Sequence, residues 1–238
     1  MIEQANRNSP LGENPIRVRP ADVDGPGRLR DEVWLTVQSH HARRVILGRT
    51  GTLEKPAITG LLGFADRLRI IWNAARADDP YADWWLMKID DALERAQSRI
   101  KTEQAALDDC IEKCSTLQIK VATTEKPYRI ELQFATPYAY SAAQLIAEFD
   151  ATARSVLTVK HVGLMNGALA EGALGRCASA IRSLFAVPQG FRVLRIDRQA
   201  VRAGSKAAKA AADLMGELPQ AVLLGEHAAA LTPRQAQP

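Results

Sequence analysis

The chain lacks most of what would fix a small secreted fold, span a membrane or build a β-sandwich. Its 238 residues hold three cysteines, Cys110, Cys114 and Cys177. That number is too small for a disulfide framework, and odd, so the chain reads as reduced and cytoplasmic. No apolar run approaches the roughly 20 residues of a membrane span. The opening MIEQANRNSPLGENP is polar, without the hydrophobic region that would direct export. Aromatic residues are only 5%, while alanine is plentiful. That balance favours helix-rich packing over an all-β core. Neither sign of charge dominates. There are 31 basic and 27 acidic residues, a net charge of +4. The excess permits a nucleic-acid partner without demanding one.

Enzyme templates are missing too. No glycine loop is followed by Lys-Ser/Thr, and no Gly-x-Gly-x-x-Gly opens a helix after a strand. There is no Gly-x-Ser-x-Gly elbow. His40 and His41 are adjacent and diverge in either a strand or a helix, while His161 and His227 are isolated. Cys110 and Cys114 lie one helical turn apart without a third ligand nearby, and read as core. Asp78, Asp79 and Asp83 form the densest carboxylate group, which the positive end of a helix explains without chemistry. The expectation is a protein that is not an enzyme, holds no metal or cofactor and takes no small-molecule substrate.

What is present points to an α+β fold, mostly helical, with short antiparallel strands. Residues 1–29 carry Pro10, Pro15, Pro20 and Pro26 with several arginines and no apolar period, and are expected to form a mobile arm. Strands are expected near 32–38, 117–122, 128–134 and 191–196, where apolar residues alternate. A helix is expected from Ile58 to about Arg76. Asp78-Asp79-Pro80 opens a long one, to about Cys114, with Trp85, Ile89, Leu93, Ala96, Ile100 and Leu107 at helical spacing. It would span about 50 Å and needs a partner along its seam. Ser141 is the expected cap of a helix reaching Val162, and Asn166-Gly167 precede another from Ala168 to Phe185. Asp197 caps a basic helix carrying Arg198, Arg202, Lys206 and Lys209. Residues 30–216 read as a single domain and 217–238 as a flexible tail.

Tyr128 to Phe134 is the cleanest period-two stretch. With Tyr128, Ile130, Leu132 and Phe134 on helices, Arg129, Glu131 and Gln133 line the other face. Arginine can bond guanine, glutamine can bond adenine, and a two-stranded ribbon fits the major groove. Strand, helix, helix over 117–186 follows the order of a ribbon-helix-helix unit, although 117–134 also reads as a hairpin within one chain. Arg129 and Gln133 become base-reading candidates, and Lys120 and Lys126 phosphate contacts. Asn166 and Gly167 would offer a phosphate the amides of a helix start.

RLRDEVWLTVQSHHARRVILGR, ITGLLGFADRL and ADDPYADWWLMKIDDAL resemble a protein family of integrating conjugative elements. LQFATPYAYSAAQLIAEFDATARSVLTVKHVGL and MGELPQAVL fit the same family, so the resemblance runs from about Arg28 to Leu224. The family is grouped with AcaB-type transcriptional regulators. The resemblance implies a homodimeric, cytoplasmic protein that binds double-stranded DNA through a ribbon-helix-helix element and turns on conjugative-transfer genes. The other class left open is a structural or accessory protein of the transfer apparatus, with the long helix as its docking surface.

Overall fold

The structure, a computed structural model, describes residues 32–112 and 118–233. The expected arm at 1–29 lies outside them. The protein is mostly helical with one two-stranded antiparallel sheet, an α+β fold as expected. The chain opens with strand β1 (Val33–Val37) and helix α1 (His40–Leu47). Helix α2 (Leu61–Arg76) leads into α3 (Pro80–Glu112). Strand β2 (Tyr128–Leu132) precedes α4 (Pro137–His161) and α5 (Gly167–Ala186). A 3-10 turn (Val187–Gly190) and three short helices follow: α6 (Arg198–Arg202), α7 (Lys206–Met215) and α8 (Gln220–Leu224).

Helix α3 forms where the start signal placed it. Asp79 Oδ1 accepts from the amides of Tyr81, at 2.9 Å, and Ala82, and Pro80 takes the first helical position. Asp78, at φ 61°, turns the chain into it. The stripe Trp85, Ile89, Ala96, Ile100 and Leu107 is buried against α2, α4 and α5. Each such large side chain contributes roughly 1.5–3 kcal/mol on leaving water. The long seam thus finds its partner inside the same chain. No large apolar side chain of α3 is exposed. Among the described residues, no helix is long and apolar enough to cross a membrane.

Several boundaries differ from expectation. Residues 118–127 form no strand, so β2 has no hairpin partner there. The Ala122 amide donates to Thr158 Oγ1 at 2.9 Å and the Thr124 amide to Gln38 Oε1 at 3.0 Å, so side chains occupy groups that a ladder would need. Instead β2 pairs with β1, Leu35 opposite Ile130 and Thr36 opposite Arg129. Residues 191–196 also form no strand, because Arg195 adopts φ 54°, which breaks an extended run. Helix α4 begins at Pro137, with Thr136 as its cap, four residues before Ser141. The basic helix after Asp197 is split by Gly204 at φ 61° into α6 and α7. Residues 217–233 include α8 and are tied to the body. The Ala230 amide donates to Asp90 Oδ2 at 2.9 Å, and the Leu231 amide to the Tyr138 hydroxyl at 3.2 Å.

Candidate nucleic-acid interface

The β1–β2 sheet has one face on the core and one in solvent. Leu35, Val37 and Leu132 are buried, with Val33, Tyr128 and Ile130 packed beside them. The period-two pattern then places Trp34, Thr36, Arg129 and Glu131 outward. Trp34 is 42% exposed, a large ring on an otherwise polar surface. The Arg129 guanidinium lies over it, 4.2 Å from the ring centroid. Gln133, just past the strand, donates to Glu131 Oε1 at 2.9 Å. Among the described residues Arg129 forms no ion pair. Strand β1 packs on α4, and Asp150, midway along that helix, anchors its end. Its carboxylate accepts from the amides of Gln38, at 3.0 Å, and Ser39, at 2.7 Å, and so fixes the corner between β1 and α1.

Three of the expected site residues, Arg129, Glu131 and Gln133, share this outward face. Lys126 is exposed two residues before β2, and Lys120 is exposed on the same 118–127 segment. Asn166 and Gly167 stand elsewhere, at the start of α5. Asn166 Oδ1 caps that helix by accepting from the Leu169 amide at 2.8 Å. The Lys160 ammonium lies near Gly167, 3.8 Å from where a side chain there would begin. The hairpin within 117–134 is not what forms. β2 is paired within its own chain, because β1 supplies the complementary alternation from 91–99 residues upstream.

The basic segment after Asp197 does not add a free cationic surface at its first residue. Arg198 donates to Asp78 Oδ1 at 2.8 Å and to Asp83. It also donates to the carbonyls of Val222, at 2.6 Å, and Leu223. Burial pushes Asp83 up to about 6, partly offset by that guanidinium. Burial also pushes Asp79 up to about 6. The carboxylate cluster thus caps α3 and holds Arg198. Among the described residues no group of His, Cys, Asp and Glu could hold a metal ion.

Sequence reasoning missed a second cationic region. His41 and Arg44 of α1, Arg49 just after it and Arg182 of α5 line one cleft, with Glu171 also on its wall. The signal for His41, Arg44 and Arg49 was the run HHARRVILGR. Ser39 caps α1 by accepting from the Ala42 amide, which settles the run as a helix. Gly48, at φ +67°, ends it against residues 58–60, where a Cβ would collide with the Ile58 carbonyl. Arg49 and Ile58 exchange two backbone hydrogen bonds of 2.8 Å across that crossing. Burial holds the His41 imidazole below its usual range, and Arg44 and His40 add to the effect.

Residues 25–235 match the family model described as "Transcriptional regulator AcaB". Among solved structures, the chain is similar to selenomethionine-containing AcaB from uropathogenic E. coli. The two are 14% identical, with a TM-score of 0.55 over 82% of this chain and 95% of that one. At that identity the likeness speaks for the fold. No curated protein matches the chain.

Proposed function

The chain belongs to the AcaB family of transcriptional regulators, and we propose that it binds double-stranded DNA through the outward face of β1–β2. The observation that carries this reading is Arg129, stacked on Trp34 beside Thr36, Glu131 and Gln133, with its charge unused in any described ion pair. A two-stranded antiparallel ribbon with polar outward side chains fits the major groove. Arg129 reads a guanine there and Gln133, held by Glu131, turns to an adenine. Lys126 and Lys120 meet phosphates, which orient the protein without selecting sequence. Asn166 and Gly167, beside Lys160, offer a further phosphate contact at the start of α5.

The protein works in the cytoplasm, has no catalytic role of its own, and acts as a homodimer that turns on conjugative-transfer genes of an integrating element. The two-stranded sheet supports self-association, because each strand keeps an outer edge that another copy could pair with. The scaffold alternative expected an apolar seam on α3, and that seam is buried within the chain. A mobility-shift assay on duplex DNA from upstream of the element's transfer genes tests the reading. Wild type should prefer that duplex to a scrambled one of equal length. Equal retention of both by a folded protein would contradict it. Light scattering at micromolar concentration should give twice 26.0 kDa.

A further inference from the structure

The cleft between α1 and α5 is separate from the outward sheet face and has its own chemistry. It encloses about 330 Å³, within the range of small-ligand sites. Its walls come from positions three, four or seven apart: His41 and Arg44 on α1 with Gly48 at its end, and Glu171, Gly175, Ala178 and Arg182 on α5. Val45 and Leu174 lie between them, so the wall is apolar between charged groups. Among the described residues neither Arg44 nor Arg182 forms an ion pair. Arg49 is held in place, its Nη2 donating to the Pro56 carbonyl at 2.9 Å. Three guanidinium groups against one carboxylate leave the cleft at +2 with His41 neutral. A side chain built at Gly175 would meet nothing within 4 Å, so the cleft is open above α5.

We propose that this cleft binds a small phosphate monoester, with Arg44, Arg49 and Arg182 holding the phosphoryl oxygens and Glu171 accepting a hydroxyl of the attached group. A monoester carries about −1.5 to −2 at neutral pH, which matches the cleft, whereas a diester carries only about −1. Planar guanidinium forks suit its oxygens. Glu171 repels a bare anion, and that favours ligands that bring a hydrogen-bond donor to it. His41 faces Arg44 and His40 from α1, Arg49 after it, Lys160 from α4, and Glu171 and Arg182 from α5. An anion placed among these groups favours the imidazolium, and protonation of the monoester itself, whose second pKa is near 6, offsets that gain on acidification.

Isothermal titration of the full chain with ribose 5-phosphate tests this, with ribose and dimethyl phosphate as controls. Ribose 5-phosphate should bind, and both controls should bind at least tenfold more weakly. Arg44→Ala and Arg182→Ala should each weaken binding about tenfold or more. Gly175→Leu should fill the cleft and abolish binding while Tm stays level or rises, since leucine is a better helix former than glycine. Equal heats for ribose and ribose 5-phosphate, or wild-type affinity in folded Gly175→Leu, would overturn the proposal. A duplex that competes with the sugar phosphate, and loses as much affinity in Gly175→Leu, would also overturn it, by assigning the cleft to backbone phosphate.

Discussion

Arg198 and Arg182 carry the same side chain into opposite surroundings. Arg198 is 17% exposed, bonds two carboxylates and reaches two backbone carbonyls of the last helix. Arg182 is exposed on the wall of an open cleft with no described ion pair. The first arrangement spends its charge on the fold and leaves nothing for a partner. The second spends nothing on the fold. Formal net charge, +4 for the whole chain, cannot distinguish them. What separates a structural arginine from a recognition arginine is whether carboxylates of the same chain already satisfy it.

The contrast breaks most sharply at Arg198. Arg198→Ala takes the cation from the largely buried Asp83 and frees the Val222 and Leu223 carbonyls. It should lower unfolding free energy by about 3–5 kcal/mol in urea titrations, the cost of leaving a largely buried charge unpaired. The second effect is on pH. Burial raises Asp79 from 3.8 to about 6. Between those values the folded chain keeps a proton that the unfolded chain has released, so this contribution to stability falls as pH rises from about 4 to 6, then levels. The fall is roughly 3 kcal/mol. Asp79→Asn should reduce the slope of stability against pH across that window by about half, since Asp83 is raised in the same direction. The smallest effect belongs to the cleft. Arg44→Ala and Arg182→Ala should each change stability by less than about 0.5 kcal/mol, as surface changes do. A loss like that of Arg198 would erase the distinction.

Local patterns carried much of this fold. The Asp-Asp-Pro start and the three-four spacing marked α3, and alternation marked both β1 and β2. Pairing was harder to see because it is non-local. The segment from Gln118 to Thr123 alternates as well as β1 does, and only tertiary contacts assign the Ala122 amide to Thr158 and the next residue's, Thr124, to Gln38. FRVLRI reads as a strand until Arg195 adopts a left-handed conformation that few sequences announce. In the candidate site, alternation correctly set Arg129 and Glu131 outward, yet it could not show that Trp34 would lie under Arg129, since Trp34 belongs to a distant segment. The α1–α5 cleft was hidden for the same reason. HHARRVILGR is visible as a basic run, but Glu171, Gly175 and Arg182 join it only through packing.

In the proposed complex the outward sheet face reads DNA while its flanking lysines only hold the backbone. The most direct measurement is affinity for specific and scrambled duplexes against salt, for wild type, Arg129→Ala and Lys126→Ala. Arg129→Ala should cost about 1–3 kcal/mol on the specific duplex and relax preference at one base pair. Lys126→Ala should weaken both duplexes alike and reduce the slope of log affinity against log salt by about one. If folded Arg129→Ala keeps wild-type affinity and preference on the specific duplex, the sheet face is not the reading surface.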